Sequence, residues 1–213
     1  MCRLLAVHDI RPFDICGHLR QLAVVARNSR EFQGDGWGCC WLEAGQWRVY
    51  RNLRPVWEDE LDQFGRTTLL LAHARSAFRN EGLDVANNMP FLSGDEAFIF
   101  NGEMRGVRIR AEGGIGAEKL FRFLGRFPGD HPDNGLAKAI GIAKRQSRYI
   151  RAMNFILARR GSLHVHAFSS EDQDYFTLHK KQSGSRYVIC SEPYPGESEW
   201  TPLPNDYLEV HPC

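Results

Sequence analysis

Met1-Cys2-Arg3-Leu4-Leu5-Ala6-Val7-His8-Asp9 opens the chain, and the rest is read outward from it. From Arg3 to His8 the run suits an N-terminal β-strand, and it lacks the ~7–15-residue apolar core that a signal peptide needs. The residue just before that strand is a cysteine. Removal of Met1 would leave Cys2 with its thiol and a free α-amine on the same residue. An α-amine has a reference pKa of ~7.7–8.0 and a thiol ~8.5, so near neutral pH the amine can accept the thiol proton directly or through one water. Nucleophile and base then arrive together. The competing reading is a cysteine that only packs at the start of a strand.

Beyond this run the apolar spacing switches between a period of two and one of 3.6. Ile15 to Arg27 reads as a helix with Leu19, Leu22, Ala23 and Ala26 on one face. Cys39 to Glu43 and Trp47 to Arg51 read as strands joined by a turn at Ala44-Gly45, and Thr67 to Ala74 as a strand buried on both faces. Glu58 to Phe64 is a short helix candidate, and Glu96 to Phe100 a strand that ends at Asn101-Gly102. Ala117 to Arg126 and Asp133 to Tyr149 are expected helices, separated by the break Phe127-Pro128-Gly129-Asp130-His131-Pro132. In the last third Met153 to Ala158, Ser162 to Phe168, Tyr175 to His179 and Tyr187 to Cys190 read as strands. With no internal repeat or low-complexity linker, this order favours one α/β or α+β domain over residues 1–213, with stacked sheets covered by helices.

Composition excludes several classes. Lys+Arg 27 against Asp+Glu 26 gives a net charge of +1, without the positive surplus on which a nucleic-acid coat or a polybasic membrane anchor relies. The longest uncharged apolar stretch, near Leu69 to Ala72, is far short of the ~18 residues a membrane span needs, so a cytoplasmic protein is expected. At 43% hydrophobic residues the chain has enough apolar surface to fold. Cys2, Cys16, Cys39, Cys40, Cys190 and Cys213 form no CxxC pair, so they read as thiols rather than as a disulfide scaffold or a structural zinc site. No cofactor is expected.

Cleaving an amide through a thioester requires donors for the tetrahedral oxyanion. Asn101 and Gly102, at the end of an apolar strand, can offer a side-chain NH2 and a backbone N–H. Glycine at 102 would let a substrate approach the backbone closely; the alternative for Asn-Gly is a type I′ hairpin turn. A substrate with an α-carboxylate needs a bidentate cation, and Arg75 follows the strand Leu69-Leu70-Leu71-Ala72-His73-Ala74. Its alternative is a surface salt bridge.

With these pieces the sequence resembles the class II glutamine amidotransferases, N-terminal-cysteine members of the Ntn-hydrolase superfamily, and especially their small stand-alone branch. The resemblance rests on Met1-Cys2-Arg3-Leu4-Leu5, Gly34-Asp35-Gly36-Trp37-Gly38, Ala72-His73-Ala74-Arg75, Asn88-Met89-Pro90-Phe91, Phe98-Ile99-Phe100-Asn101-Gly102 and Cys190-Ser191-Glu192-Pro193, in family order over nearly the whole chain. It implies an α+β fold, a four-layer αββα sandwich of two stacked, mainly antiparallel sheets. It further implies Cys2 as nucleophile with its own amine as base and acid, Asn101 and the Gly102 amide as oxyanion hole, and Arg75 as the clamp on the α-carboxylate of glutamine or a γ-glutamyl-type amide. An acceptor or synthetase subunit in trans is a candidate partner. A catalytically degenerate member, serving as a binding or ammonia-supplying subunit of a complex, is the alternative.

The sequence departs from the family pattern in three places. Gly116 stands where the family has an Asp that receives the substrate α-ammonium, which leaves that group without a partner or with one supplied by Glu103, Glu112 or Glu118. Met89 replaces a common His before Pro-Phe, and Phe78-Arg79 replaces smaller or polar residues. The expectation is a modified γ-glutamyl-type substrate, or a neighbouring acid that compensates. Other signals carry less. Gly34-Asp35-Gly36-Trp37-Gly38 has the wrong spacing for a dinucleotide loop and reads as a loop beside the active site. His164 and His166 share a strand face without a third ligand at recognisable spacing. Cys39 and Cys40 point to opposite faces of a strand. The basic residues Lys144, Arg145, Arg148, Arg151, Arg159 and Arg160 read as a solvated face rather than a nucleic-acid surface.

Overall fold

Strand alternation sets the layers. In β1 (Arg3–Asp14) Leu4 and Ala6 point one way and Leu5 and Val7 the other, and all four are buried. A strand apolar on both faces must be covered on both. The computed structural model describes residues 1–77, 82–127 and 132–213 and shows what covers it. β1 lies in an antiparallel sheet with β2 (Trp37–Glu43), β3 (Gln46–Asn52), β4 (Arg66–Ala74), β9 (His179–Ser183), β10 (Arg186–Cys190) and β11 (Thr201–Pro202), ordered β11-β9-β10-β1-β4-β2-β3. A second antiparallel sheet takes β5 (Phe91–Ser93), β6 (Glu96–Arg105), β7 (Tyr149–Arg159), β8 (Ser162–Ala167) and β12 (Tyr207–Pro212), ordered β12-β8-β7-β6-β5.

The sheets face each other through Leu4, Ala6, Leu69 and Leu71 of the first and Ala97, Ile99 and Ile156 of the second. On the outer face of the first sheet, α1 (Ile15–Arg27) packs Leu19, Leu22 and Ala26 against Leu5, Val7 and Leu70. Asp14 caps α1 by accepting from the Gly17 amide at 3.0 Å. On the outer face of the second sheet lie α2 (Gly116–Leu124) and α3 (Pro132–Arg145), with Phe121 stacked on Phe98 at 5.2 Å. The architecture is the expected four-layer αββα sandwich. Cys39 and Cys40 do face opposite ways, Cys39 toward the α1 layer and Cys40 toward the second sheet. Ala44 and Gly45 make the β2–β3 turn, both with positive φ (50° and 77°).

Four local readings change. Glu58 to Phe64 is not one helix: Val56–Glu58 and Leu61–Gln63 are separate 3₁₀ turns, because Asp59 between them is extended and its carboxylate is held by other strands. Tyr175 to His179 is not one strand: Tyr175 and Phe176 end α4 (Gln173–Phe176), both buried although adjacent, and β9 begins at His179. β6 runs through Asn101-Gly102 to Arg105, so that dipeptide is strand rather than turn. α3 stops at Arg145, because the chain turns at Ser147 to enter β7 at Tyr149. Residues 128–131 of the expected inter-helix break lie outside the described residues.

Asp59 ties β2 and β3 to this corner. Its Oδ2 accepts from Trp37 Nε1 (2.8 Å), Tyr50 OH (2.9 Å) and Asn52 Nδ2 (2.8 Å), and its Oδ1 from the Glu60 amide (2.9 Å). Burial pushes the carboxyl pKa up, but these hydrogen bonds outweigh it and hold the group below the usual carboxylate range. A pKa lower in the folded state means the contribution is complete above the unfolded value of ~3.9 and is lost as pH falls through the folded one. Asp59→Asn is expected to lower the unfolding free energy in urea by about 1–3 kcal/mol at neutral pH, with the gap to wild type narrowing in acid below the ordinary carboxylate range. A gap that stays constant with pH would show that the charge is not what stabilises this corner.

Candidate active site

Side-chain parity turns the candidate residues toward the space between the two sheets. Cys2 falls on the face of Leu4, His73 and Arg75 on the face of Leu71, and Asn101 on the face of Ile99, and all three faces turn toward the space between the sheets. Pairing of Arg3 with Ala74, and of Trp37 with Ala74, brings the start of β1, the end of β4 and the start of β2 to the same end of the first sheet.

Cys2 is half-buried there, its Sγ 3.5 Å from the Ser76 amide, which donates to it, and 3.7 Å from the Ser76 carbonyl oxygen. Burial pushes the thiol pKa up; the N-terminal ammonium, the Ser76 amide and Arg75 pull it down without cancelling the rise, and Asp35 adds to it. Cys2 therefore rests as a thiol and needs a base to react.

The Gly34–Gly38 loop braces Arg75. The Arg75 amide donates to Gly36 O (2.9 Å), the Asp35 amide donates to Arg75 O (3.2 Å), and Asp35 Oδ2 accepts from the Ala77 amide (2.7 Å). Gly36 has φ +106°, and a Cβ there would lie 2.4 Å from Asn88 Nδ2 and 2.8 Å from Asn52 O. Only glycine fits this loop. Arg75 as a whole is 6% exposed, its guanidinium donating from Nη1 to Asn88 Oδ1 (3.3 Å) and from Nη2 to Gly82 O (2.9 Å). Arg75 is thus a buried cation oriented by these acceptors.

Asn101 is fully buried, yet neither its Nδ2 nor its Oδ1 makes a hydrogen bond. A buried amide left in this state costs free energy, and its cross-strand partner Asn154 cannot relieve it. Asn154 is already engaged, donating to Phe176 O at 2.6 Å and accepting from the Phe168 amide at 2.9 Å. Next to it, a Cβ on Gly102 would lie 2.1 Å from the Ala152 carbonyl oxygen. The close approach that requires glycine here is made by β7, where the sequence pointed to substrate. Met1 packs on Ala152 and Phe176, so the N-terminus reaches β7 where it crosses Gly102.

Several neighbours receive no role from the sequence. His73, fully buried, is pushed down to about 3 by burial first and by Arg75 next, so its imidazole is neutral. Glu31, Gln33 and Tyr175 surround Met1. Gly116 begins α2 with open space around it. Of the three acids considered, Glu103 pairs with Arg105 and Glu112 is exposed. Glu118 pairs with Arg122 at 3.7 Å through Oε1, while its Oε2 accepts from the Gly114 amide at 2.8 Å, beside Asn87, whose Nδ2 shares the Gly82 carbonyl with Arg75. Met89 is core, and residues 78–79 lie outside the described residues.

Elsewhere, His166 Nδ1 lies 3.0 Å from Tyr207 O, and its pKa is lowered to about 4 by burial. Among the described residues no group of three or more His, Cys, Asp or Glu side chains is placed to hold a metal. Of the basic run, Lys144 pairs with Asp206, Arg151 with Asp172 and Arg159 with Glu96. A cavity of about 770 Å³, lined by His8, Trp47, Arg159 and Cys213 among others, includes none of Cys2, Arg75 or Asn101. No described helix is long and apolar enough to cross a membrane.

The fold has counterparts of known structure. A glutamine aminotransferase class-II domain protein from Silicibacter pomeroyi superposes with a TM-score of 0.67 at 19% identity, over 98% of this chain and 94% of that one. A protein described as a predicted glutamine amidotransferase, from Pseudomonas aeruginosa, gives 0.60 at 15% identity over 99% and 97%. Glutamine phosphoribosylpyrophosphate amidotransferase from B. subtilis gives 0.64 at 13% identity, over 89% of this chain and 42% of that one. The chain thus has the class II glutamine amidotransferase-like fold. No family model and no curated protein matches its sequence.

Gly102→Ala is expected to force β6 away from β7 and to destabilise the protein by about 1–3 kcal/mol. Gly65→Ala, with nothing within 4 Å of the added Cβ, is the control that should leave the thermal midpoint nearly unchanged. Equal midpoints for the two variants would contradict the contact with Ala152.

Proposed function

We propose that the protein, once Met1 is removed, hydrolyses the amide bond of glutamine or a γ-glutamyl-type amide through a Cys2 thioester. The observation that carries this reading is the fully buried, unpaired Asn101 amide, on a face turned toward the same space between the sheets as Cys2. A polar group kept buried without a partner is poised for a partner that appears only during reaction.

In this mechanism the Cys2 α-amine takes the thiol proton and Sγ attacks the γ-carbonyl carbon. The oxyanion draws on Asn101 Nδ2 and the Gly102 amide. Collapse breaks the C–N bond, and the α-ammonium delivers its proton to the leaving nitrogen. Water, losing a proton to the same amine, then cleaves the thioester to the γ-carboxylic acid and restores the thiol. Arg75 receives the substrate α-carboxylate. Glu118, one loop away through Asn87 and Gly82, is the carboxylate best placed for the α-ammonium that Gly116 cannot hold. Ammonia released this way could feed an acceptor or synthetase subunit in trans, which co-purification would reveal.

Retention of Met1 would lock the base in a peptide bond and leave a binding protein, so intact mass decides first between the two readings. On protein that starts at Cys2, Cys2→Ala is expected to abolish hydrolysis with the fold intact, and Asn101→Ala to lower kcat by ~10²–10³. With the Cys2 α-amine as the base, kcat/KM should climb with pH through the α-amine range near ~7.7–8.0. Full activity in Cys2→Ala, or in protein that keeps Met1, would overturn the mechanism.

A further inference from the structure

Met1 sits in a place built for it. Its ammonium pairs with Glu31 Oε2, and its carbonyl accepts from Gln33 Nε2 and, at 3.2 Å, from the Tyr175 hydroxyl. Its side chain lies against Ala152, Tyr175 and Phe176. The walls are braced without it. Tyr175 is held between the Arg3 and Arg30 guanidiniums, each 4.3 Å from the ring centroid, and Arg3 is itself paired with Glu192 at 2.9 Å. Gln33 is fully buried, its Nε2 also donates to Glu31 O at 2.9 Å, and its Oε1 has no partner. Arg151, bound to Asp172, approaches the other Glu31 oxygen at 3.7 Å, which leaves Oε2 to the Met1 ammonium. Polar walls, an unsatisfied buried amide and an apolar floor thus surround one aminoacyl group.

The reaction puts a second group in the same region. The leaving nitrogen takes its proton from the Cys2 α-ammonium, so it lies within about 2.6–3.2 Å of that nitrogen. That nitrogen is the atom to which the Met1 carbonyl carbon is now bonded. A substituent on the leaving nitrogen and Met1 therefore start from one place. We propose that removal of Met1 turns its seat into a leaving-group subsite, for a γ-glutamyl amide whose amine carries a second, cationic group that Glu31 receives. The subsite rests on Cys2 being the nucleophile. The chemistry is the thioester sequence above: C–S forms, C–N breaks, the diamine leaves with the α-ammonium proton, and water releases glutamate.

Three substrates of one acyl group test this on protein that starts at Cys2: the γ-glutamyl amide of 1,4-diaminobutane, the neutral γ-glutamyl n-butylamide, and glutamine. The expected result is a kcat/KM for the cationic amide about tenfold above that for its neutral counterpart, the scale of one charge-assisted contact. Glu31→Gln should bring that ratio to about one, and salt should lower it in wild type. If Glu31 instead held the Cys2 ammonium, Glu31→Gln would slow all three substrates alike and keep the ratio, which overturns the subsite. Hydrolysis of glutamine and the butylamide with no preference for the cation overturns the subsite and leaves the Cys2 chemistry standing. No hydrolysis of any of the three overturns both. Should Glu31→Gln fail to fold, the wild-type ratio and its salt dependence still decide.

Discussion

The pairing of β1 with β4, in the register that sets Leu4 opposite His73, is the constraint on which the site depends. Because strand side chains alternate, a slip of one residue would turn Cys2 toward α1 and bury Leu5 and Val7 against the wrong layer. The register is secured from both sides, by apolar packing on each face and by Ser191, the residue just past β10, whose Oγ accepts from the Leu4 amide at 2.8 Å and whose amide donates to Leu4 O at 3.0 Å. The same register places Arg75 one step beyond the last paired residue of β4. There the Gly36 loop, rather than a strand, supplies its backbone hydrogen bonds. Sheet geometry and site geometry are one object at this end of the sandwich.

Burial works on the site's titratable groups in a consistent direction. It raises the Cys2 thiol and lowers His73, so both favour their neutral forms. What remains charged is peripheral and held: Arg75 by carbonyl and amide oxygens, Glu31 by cations. In the mechanism proposed above, a neutral centre would let an oxyanion be recognised by oriented dipoles, chiefly Asn101 and Gly102, which need no reorganisation when charge develops. On that reading the unsatisfied Asn101 amide is stability given up for the arrangement.

The layers were legible in the sequence, from apolar alternation in Arg3 to His8 and Thr67 to Ala74, and Cys2 stood out there as a candidate by covalent position alone. Arg75 and Asn101-Gly102 stood out as candidates because each follows an apolar run; Arg75 does lie just past β4, whereas β6 continues through Asn101-Gly102. The rest had no local signature. Glu31 and Gln33 lie in an irregular stretch after α1, and their role comes from contacts across the chain with Met1 and Tyr175. Tyr175 read as strand because alternation cannot tell a short buried helix from a strand when the run is so brief. Asp59 broke the expected helix because Trp37, Tyr50 and Asn52 claim its carboxylate, a tertiary demand that outweighs local propensity.

The contact over Gly102 has a consequence for how this protein can change over generations. The atom that fills the space is the carbonyl oxygen of Ala152, part of the main chain. Had a side chain stood there, a larger residue at 102 could be rescued by a smaller one opposite. Main-chain oxygen cannot be mutated away, so no second-site change at 152 makes room. Gly102 is therefore fixed by the architecture before any substrate is considered, and would stay fixed even in a descendant that had abandoned catalysis.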